Sequence, residues 1–248
     1  MNKTKIKIVS ILCAAVTALF LLIGSSCIVL INGRIHGNGI LKKQVLSWSN
    51  FHAVSVGGDW TVDIRQSETF FITVEADENL SSYLDIYVSD HTLHIGFKHG
   101  YRIDNTHCKA FITMPILTQL TASGSITGTV SYFDIPGRTM SIDVAGSGDV
   151  TARDITVKNL KLKISGSGSF EATGKAQNMT AAISGSGNIK AVGLKTENTA
   201  ISISGSGFAK VWVTTFLQAD ISGSGSIWYK GNPVIIPRIS GSGRLYQL

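Results

Sequence analysis

The chain has 248 residues, 44% hydrophobic and only 15% charged, with 26 glycines and 4 prolines. This composition supplies a core, excludes intrinsic disorder and suits one large all-β domain or two small ones. The formal net charge is +6, but Lys3, Lys5 and Lys7 precede any folded part, and the remaining excess is too small and scattered to argue for nucleic acid.

Residues 1–31 read as an export segment. The three lysines form a positive flank, and the following run Ile8–Ile31 contains no charged residue. It exceeds the ~20 residues that span a bilayer as a helix, and it is longer than an ordinary cleaved signal core. The basic flank keeps the N-terminus cytoplasmic and sends Arg34 outward. Three outcomes stay open: an uncleaved signal anchor (one transmembrane helix), lipid attachment at Cys27 after Leu21-Leu22-Ile23-Gly24-Ser25-Ser26, or cleavage near Gly24–Ser26. Each exports residues 34–248, so a membrane met through the N-terminal segment is the first expected partner.

Of Cys13, Cys27 and Cys108, only Cys108 falls in the folded part. No disulfide within that part is possible, and the expectation is a small buried thiol. His107 beside it makes no metal pair, because adjacent strand residues point to opposite faces.

Residues 32–50 are polar and glycine-containing, and read as a short tether. Residues 51–115 show period-two alternation. Val54 and Val56 precede the Gly57-Gly58 pair, and Trp60, Val62 and Ile64 follow it, which predicts two half-buried strand segments about a glycine corner. Further strands are expected at 71–76, 84–88, 93–97 and 109–114, with a turn or a single helical turn from Asp77 to Ser82. Beyond the apolar N-terminal run no segment has a helical period.

Residues 116–248 are organised by SGSG, at Ser165–Gly168, Ser184–Gly187, Ser204–Gly207, Ser222–Gly225 and Ser240–Gly243, with Ala145–Gly148 a near copy. The first glycines, Gly146, Gly166, Gly185, Gly205, Gly223 and Gly241, are spaced 20, 19, 20, 18 and 18 residues apart. Two residues before them stand Val144, Ile164, Ile183, Ile203, Ile221 and Ile239; four after stand Val150, Phe170, Ile189, Ala209, Ile227 and Leu245. One face of each strand is therefore apolar, and stacking coils buries it. The fixed period predicts a parallel β-helix, right-handed by the crossover preference; antiparallel hairpins about the glycine turns are the alternative. Ala122-Ser123-Gly124-Ser125-Ile126 reads as an imperfect rung.

Little in this pattern carries chemistry. The glycine turns are not followed by a helix, so they read as corners rather than phosphate cradles. The position after each turn is Asp149, Ser169, Asn188, Phe208, Ser226 and Arg244, which excludes a calcium site per turn. The outward columns place no two carboxylates side by side, as a polysaccharide-cleaving β-helix requires. No catalytic, cofactor or metal residues are expected. The most suggestive surface is the column Lys190, Lys210, Trp228 and Tyr246, where aromatics beside cations could meet a sugar ring or an acidic partner.

Several motifs in order carry a resemblance. Gly37-Asn38-Gly39, the Gly57-Gly58 corner, Val74-Glu75-Ala76-Asp77-Glu78-Asn79-Leu80, Leu93-His94-Ile95, the SGSG ladder and Tyr229-Lys230-Gly231-Asn232-Pro233 together resemble the putative auto-transporter adhesin, head GIN domain family of bacterial envelope proteins. The resemblance covers roughly residues 37–248. It implies an exported β-helix with no catalytic residues to transfer. No membrane-barrel pattern occurs up to Leu248, so self-translocation is not expected. The function expected is non-catalytic: an envelope-anchored surface for a glycan or protein partner. A polysaccharide-active enzyme and a structural spacer or sensor subunit are the alternatives.

Overall fold

A computed structural model describes residues 33–248; the expected N-terminal helix and Cys27 lie outside the described residues. Arg34–Leu248 is a single compact unit built almost wholly of strands.

The glycine column decides the architecture. Strands β9 (Gln119–Ser131), β10 (Asp134–Gly146), β11 (Asp149–Gly166), β12 (Ser169–Gly185), β13 (Asn188–Gly205) and β14 (Phe208–Gly223) are long, bent and paired in parallel with their neighbours. Gly146 aligns with Gly166, Gly166 with Gly185, Gly185 with Gly205 and Gly205 with Gly223. The last coil is split into β15 (Ser226–Lys230), which pairs with β14, and β16 (Val234–Gly241), which continues the glycine column; β17 (Arg244–Gln247) closes on β15. The chain is a parallel β-solenoid, and the hairpin alternative is excluded because the strands on both sides of every SGSG corner pair only in parallel.

The two glycines of each corner answer to different constraints. Gly185 has φ +117°, and a Cβ on it would lie 2.6 Å from the carbonyl oxygen of Gly166 in the coil below. Gly187 has no such torsion, but its Cβ would meet Ile164 Cγ2 at 2.5 Å. The first glycine permits the corner; the second lets the isoleucine column beneath it pack. The corner amides are also consumed. Ser186 N–H donates to Gly166 O and Asn188 N–H to Gly168 O, both at 3.0 Å, and the pattern repeats along the stack. The corner reading of SGSG therefore has a direct structural basis, since amides bonded to the coil below do not point at an anion.

The apolar columns run down the centre. Val144, Ile164, Ile183, Ile203 and Ile221 are buried, as are Val150, Phe170, Ile189, Ala209 and Ile227. In the last coil Ile239 is 44% exposed, because no further coil covers it among the described residues. A second ladder lies at another corner. Asn159 Nδ2 donates to Thr139 Oγ1, Asn178 Nδ2 to Asn159 Oδ1 and Asn198 Nδ2 to Asn178 Oδ1, at 2.9–3.0 Å. Asn159 and Asn178 each donate and accept while Asn198 donates, so the half-buried column is bonded from coil to coil.

The solenoid extends into the N-terminal part. In β3 (Ala53–Gln66), Gly58 aligns with Gly124 of β9, so the Gly57-Gly58 pair is a true corner of the column. The imperfect rung at Gly124 is thus internal to the stack, between Gly58 and Gly146. This pairing joins the stretches read as 51–115 and 116–248 into one continuous fold. Beside β3, β8 (Lys109–Met114) pairs in parallel, while β4 (Phe71–Asp77) pairs antiparallel with β8. A 3-10 turn (Glu78–Tyr83) leads to the hairpin of β5 (Leu84–Ser89) and β6 (Thr92–Phe97), and β6 also adds to β3.

The reading of 32–50 as a tether needs correction. β1 (Arg34–His36) pairs with β7 (Arg102–Asp104), and β2 (Leu41–Leu46) pairs antiparallel with β4. The stretch between them is held by Asp77, whose Oδ1 accepts from Gly39 N–H at 2.6 Å, and by Asn79, whose Nδ2 donates to His36 O at 2.8 Å. Polar composition misled here because these strands are edges, where a polar face is permitted.

Candidate functional site

The expected surface column forms as drawn from the sequence. Lys190 aligns with Lys210, Lys210 with Trp228 and Trp228 with Tyr246 on successive parallel strands. Their inward neighbours Ile189, Ala209 and Ile227 are buried, which fixes the four side chains on the outer face. Trp228 stacks on Tyr246 with ring centroids 5.4 Å apart and meets Phe208 edge-on at 5.9 Å. Lys210 Nζ lies 5.6 Å from the Trp228 centroid, within cation–π range. Arg244 donates to the Tyr246 hydroxyl at 3.4 Å, which raises the guanidinium pKa above its ordinary value.

Sequence reasoning missed a second column on the same strands. Lys175 aligns with Lys195, Lys195 with Trp212 and Trp212 with Lys230. Lys230 Nζ stands 4.1 Å from the Trp212 ring centroid and Lys195 Nζ 5.8 Å, so the indole is flanked by two cations. These residues stand nine, ten, seven and seven positions after their marker glycines, so counting at a fixed offset does not find them. The cause is a register shift. β13 carries Val192, Gly193 and Leu194 between Ala191 and Lys195, whereas in β14 Trp212 follows Val211 directly. Loss of those three residues, offset by one extra residue between Val213 and Phe216, gives the drop in period and brings Lys210 and Trp212 to alternate positions of one strand, roughly 7 Å apart.

The other outward columns are in register too. Asp143 aligns with Lys163 and Asp220 with Arg238, while Glu171 lies between Thr151 and Lys190. Among the described residues no cluster of three His, Cys, Asp or Glu side chains is arranged to hold a metal ion. Cys108 is buried, and burial pushes its thiol up to about 11, which leaves it protonated and inert at neutral pH. His107 turns to Asp77 rather than to any metal partner.

A concave feature lies apart from the ladder. A groove of about 520 Å³ beside the Gly57-Gly58 corner is lined by Tyr87, His94, Phe97 and Tyr101, with Asp85 and Lys98 at its polar positions. Tyr87 stacks on His94 at 4.7 Å, yet Tyr87 and Tyr101 remain exposed.

A parallel solenoid with in-register surface ladders places the molecule in the class of β-helical repeat proteins. Residues 50–233 match the family described as putative auto-transporter adhesin, head GIN domain, and the chain belongs to that family. A structure of a putative adhesin from Bacteroides fragilis superposes with a TM-score of 0.78 at 23% identity, covering 86% of this chain and all of the other. A putative lipid binding protein from Parabacteroides distasonis gives 0.68 at 27% identity, over 87% and 99% of the two chains. A putative adhesin from Parabacteroides merdae gives 0.64 at 25% identity, with the same coverage. No curated protein matches the chain.

Proposed function

We propose that this chain is a non-catalytic, extracytoplasmic envelope protein. It is held at the membrane by residues 1–31 and presents a rigid, right-handed solenoid surface to a glycan or protein partner. The observation that carries the reading is the unbroken ladder Lys190–Lys210–Trp228–Tyr246. It sets cations and aromatics along one face at the strand repeat. Membership of a family described as adhesin-like supports an envelope role, and the export segment supports the location. The sheet-crossover preference supports the hand. Surface binding needs no pair of carboxylates, and among the described residues the outward columns set no two carboxylates side by side.

The test is a glycan array probed with the full chain, together with a pull-down from envelope material. Saturable binding in either supports the reading. No binding in both contradicts it.

A further inference from the structure

We infer that the two surface columns act as one site, and that its ligand is an acidic polysaccharide, a linear glycan bearing a carboxylate, sulfate or phosphate on its sugars. The inference rests on the surface-binding function proposed above and names the partner's chemistry.

Charge is the first support. Along β13, β14, β15 and β17 the two columns and their flank present Lys190, Lys195, Lys210, Lys230 and Arg244, against two neighbouring carboxylates, Glu171 opposite Lys190 on β12 and Glu197 two residues after Lys195. Among the described residues, none of these five cations is held in an ion pair. Elsewhere the fold does pair its charges across strands, as Lys43 does with Glu75. A stripe dominated by one sign on adjacent strands is self-repelling, and an anionic ligand relieves that repulsion.

Geometry is the second. Taken together, each successive strand carries at least one cation, Lys190 and Lys195 on β13, Lys210 on β14, Lys230 on β15 and Arg244 on β17, at the strand spacing of ~4.8 Å. Such a row matches a linear polymer with a charge on successive units better than a compact anion. Trp212 and Trp228 are half-buried in their stacks, with Lys210, Lys195 and Lys230 against them. They offer edges and one exposed neighbour, Tyr246, against which sugar C–H groups can pack. Rings held this way do not protrude, which disfavours insertion into a lipid surface. The loss of the β13 bulge is the third support, because it brings the columns together only in the coils where the aromatics occur.

The experiment measures binding of the full chain, in a non-ionic detergent, to polygalacturonate, to dextran and to phosphatidylglycerol vesicles. Lys195→Glu/Lys210→Glu and the milder Lys195→Gln/Lys210→Gln are compared with the parent chain, with thermal melting as the folding control. The expected result is binding to polygalacturonate that weakens with added salt and falls at least about tenfold in the charge-reversed variant. If the reversed variant does not fold, the Gln variant is expected to bind about threefold more weakly. Equal binding to dextran, preference for vesicles, indifference to both variants, or no polygalacturonate binding overturns the inference. Binding lost on Tyr87→Ala/Tyr101→Ala instead would overturn it while leaving the envelope-binding function intact, because the partner would then sit in the other groove.

Discussion

His107 contacts Asp77 twice. Its backbone N–H donates to Oδ2 at 2.8 Å, and its ring Nδ1 lies 3.1 Å from Oδ1, with the acceptor-only carboxylate making Nδ1 the donor. Gly39 N–H supplies a third bond at 2.6 Å, and the Asp77 side chain is fully buried. Gly37 lies so close that a Cβ there would sit 2.4 Å from Oδ2. This network clips Gly37-Asn38-Gly39, and with it β1 and β2, onto the end of β4.

Burial alone would raise the Asp77 pKa, but the bonds from the His107 and Gly39 amides and the His107 ring outweigh it, and the pKa lies below the ordinary carboxylate value. A depressed pKa stabilises the fold above the unfolded-state value, near 4, and that contribution is lost as pH falls from there through the folded value. Asp77→Asn is expected to destabilise by about 2–4 kcal/mol at neutral pH and to flatten the acid limb of the stability profile. His107→Ala keeps the amide bond and should cost less, about 1 kcal/mol. Melting temperatures between pH 2 and pH 7 check both.

The corner glycines make a sharper prediction. Gly185→Val places a branched side chain at positive φ against the Gly166 carbonyl, and is expected to cost about 3 kcal/mol or more. For a domain of this size that lowers the melting temperature by roughly 10 °C. Ser186→Ala, at the exposed position beside it, should change little. Equal melting of the two variants would contradict the corner reading.

The asparagine ladder is load shared between coils. Asn178→Ala leaves the Asn198 amide without its acceptor and the Asn159 oxygen without its donor. A loss of about 1–2 kcal/mol is expected, measured by denaturant unfolding.

Cys108 should report on unfolding. With its thiol pushed up to about 11, iodoacetamide at pH 8 is expected to leave the native protein unlabelled at this position and to label it only after denaturation. Peptide mapping by mass spectrometry reads the difference.

The solenoid was legible because its strongest constraint recurs in the sequence. A glycine at each corner and a β-branched residue two positions earlier are both forced by stacking, so they keep their spacing from coil to coil. The Lys190 column was legible for the same reason, being tied to the marker glycine by a corner of constant length and the first residues of the next strand. Past the β13 bulge the offsets change, and Lys195, Trp212 and Lys230 fall out of any fixed count. Asn159, Asn178 and Asn198 did recur at the coil period, but a polar residue at a half-buried corner carries no hydrophobic signal. The edge strands β1 and β2 were hidden because their pairing depends on Asp77 and Asn79, some forty residues away in the chain.

The central claim is that the outer face around Lys210 and Trp228 meets the partner. Its most direct test is retention of the full chain on isolated envelope material, comparing the parent with Lys210→Ala/Trp228→Ala and with Tyr87→Ala/Tyr101→Ala. The account predicts that the first variant melts within a few degrees of the parent but loses most of its retention, while the second is retained normally. Undiminished retention of a folded Lys210→Ala/Trp228→Ala chain would contradict it.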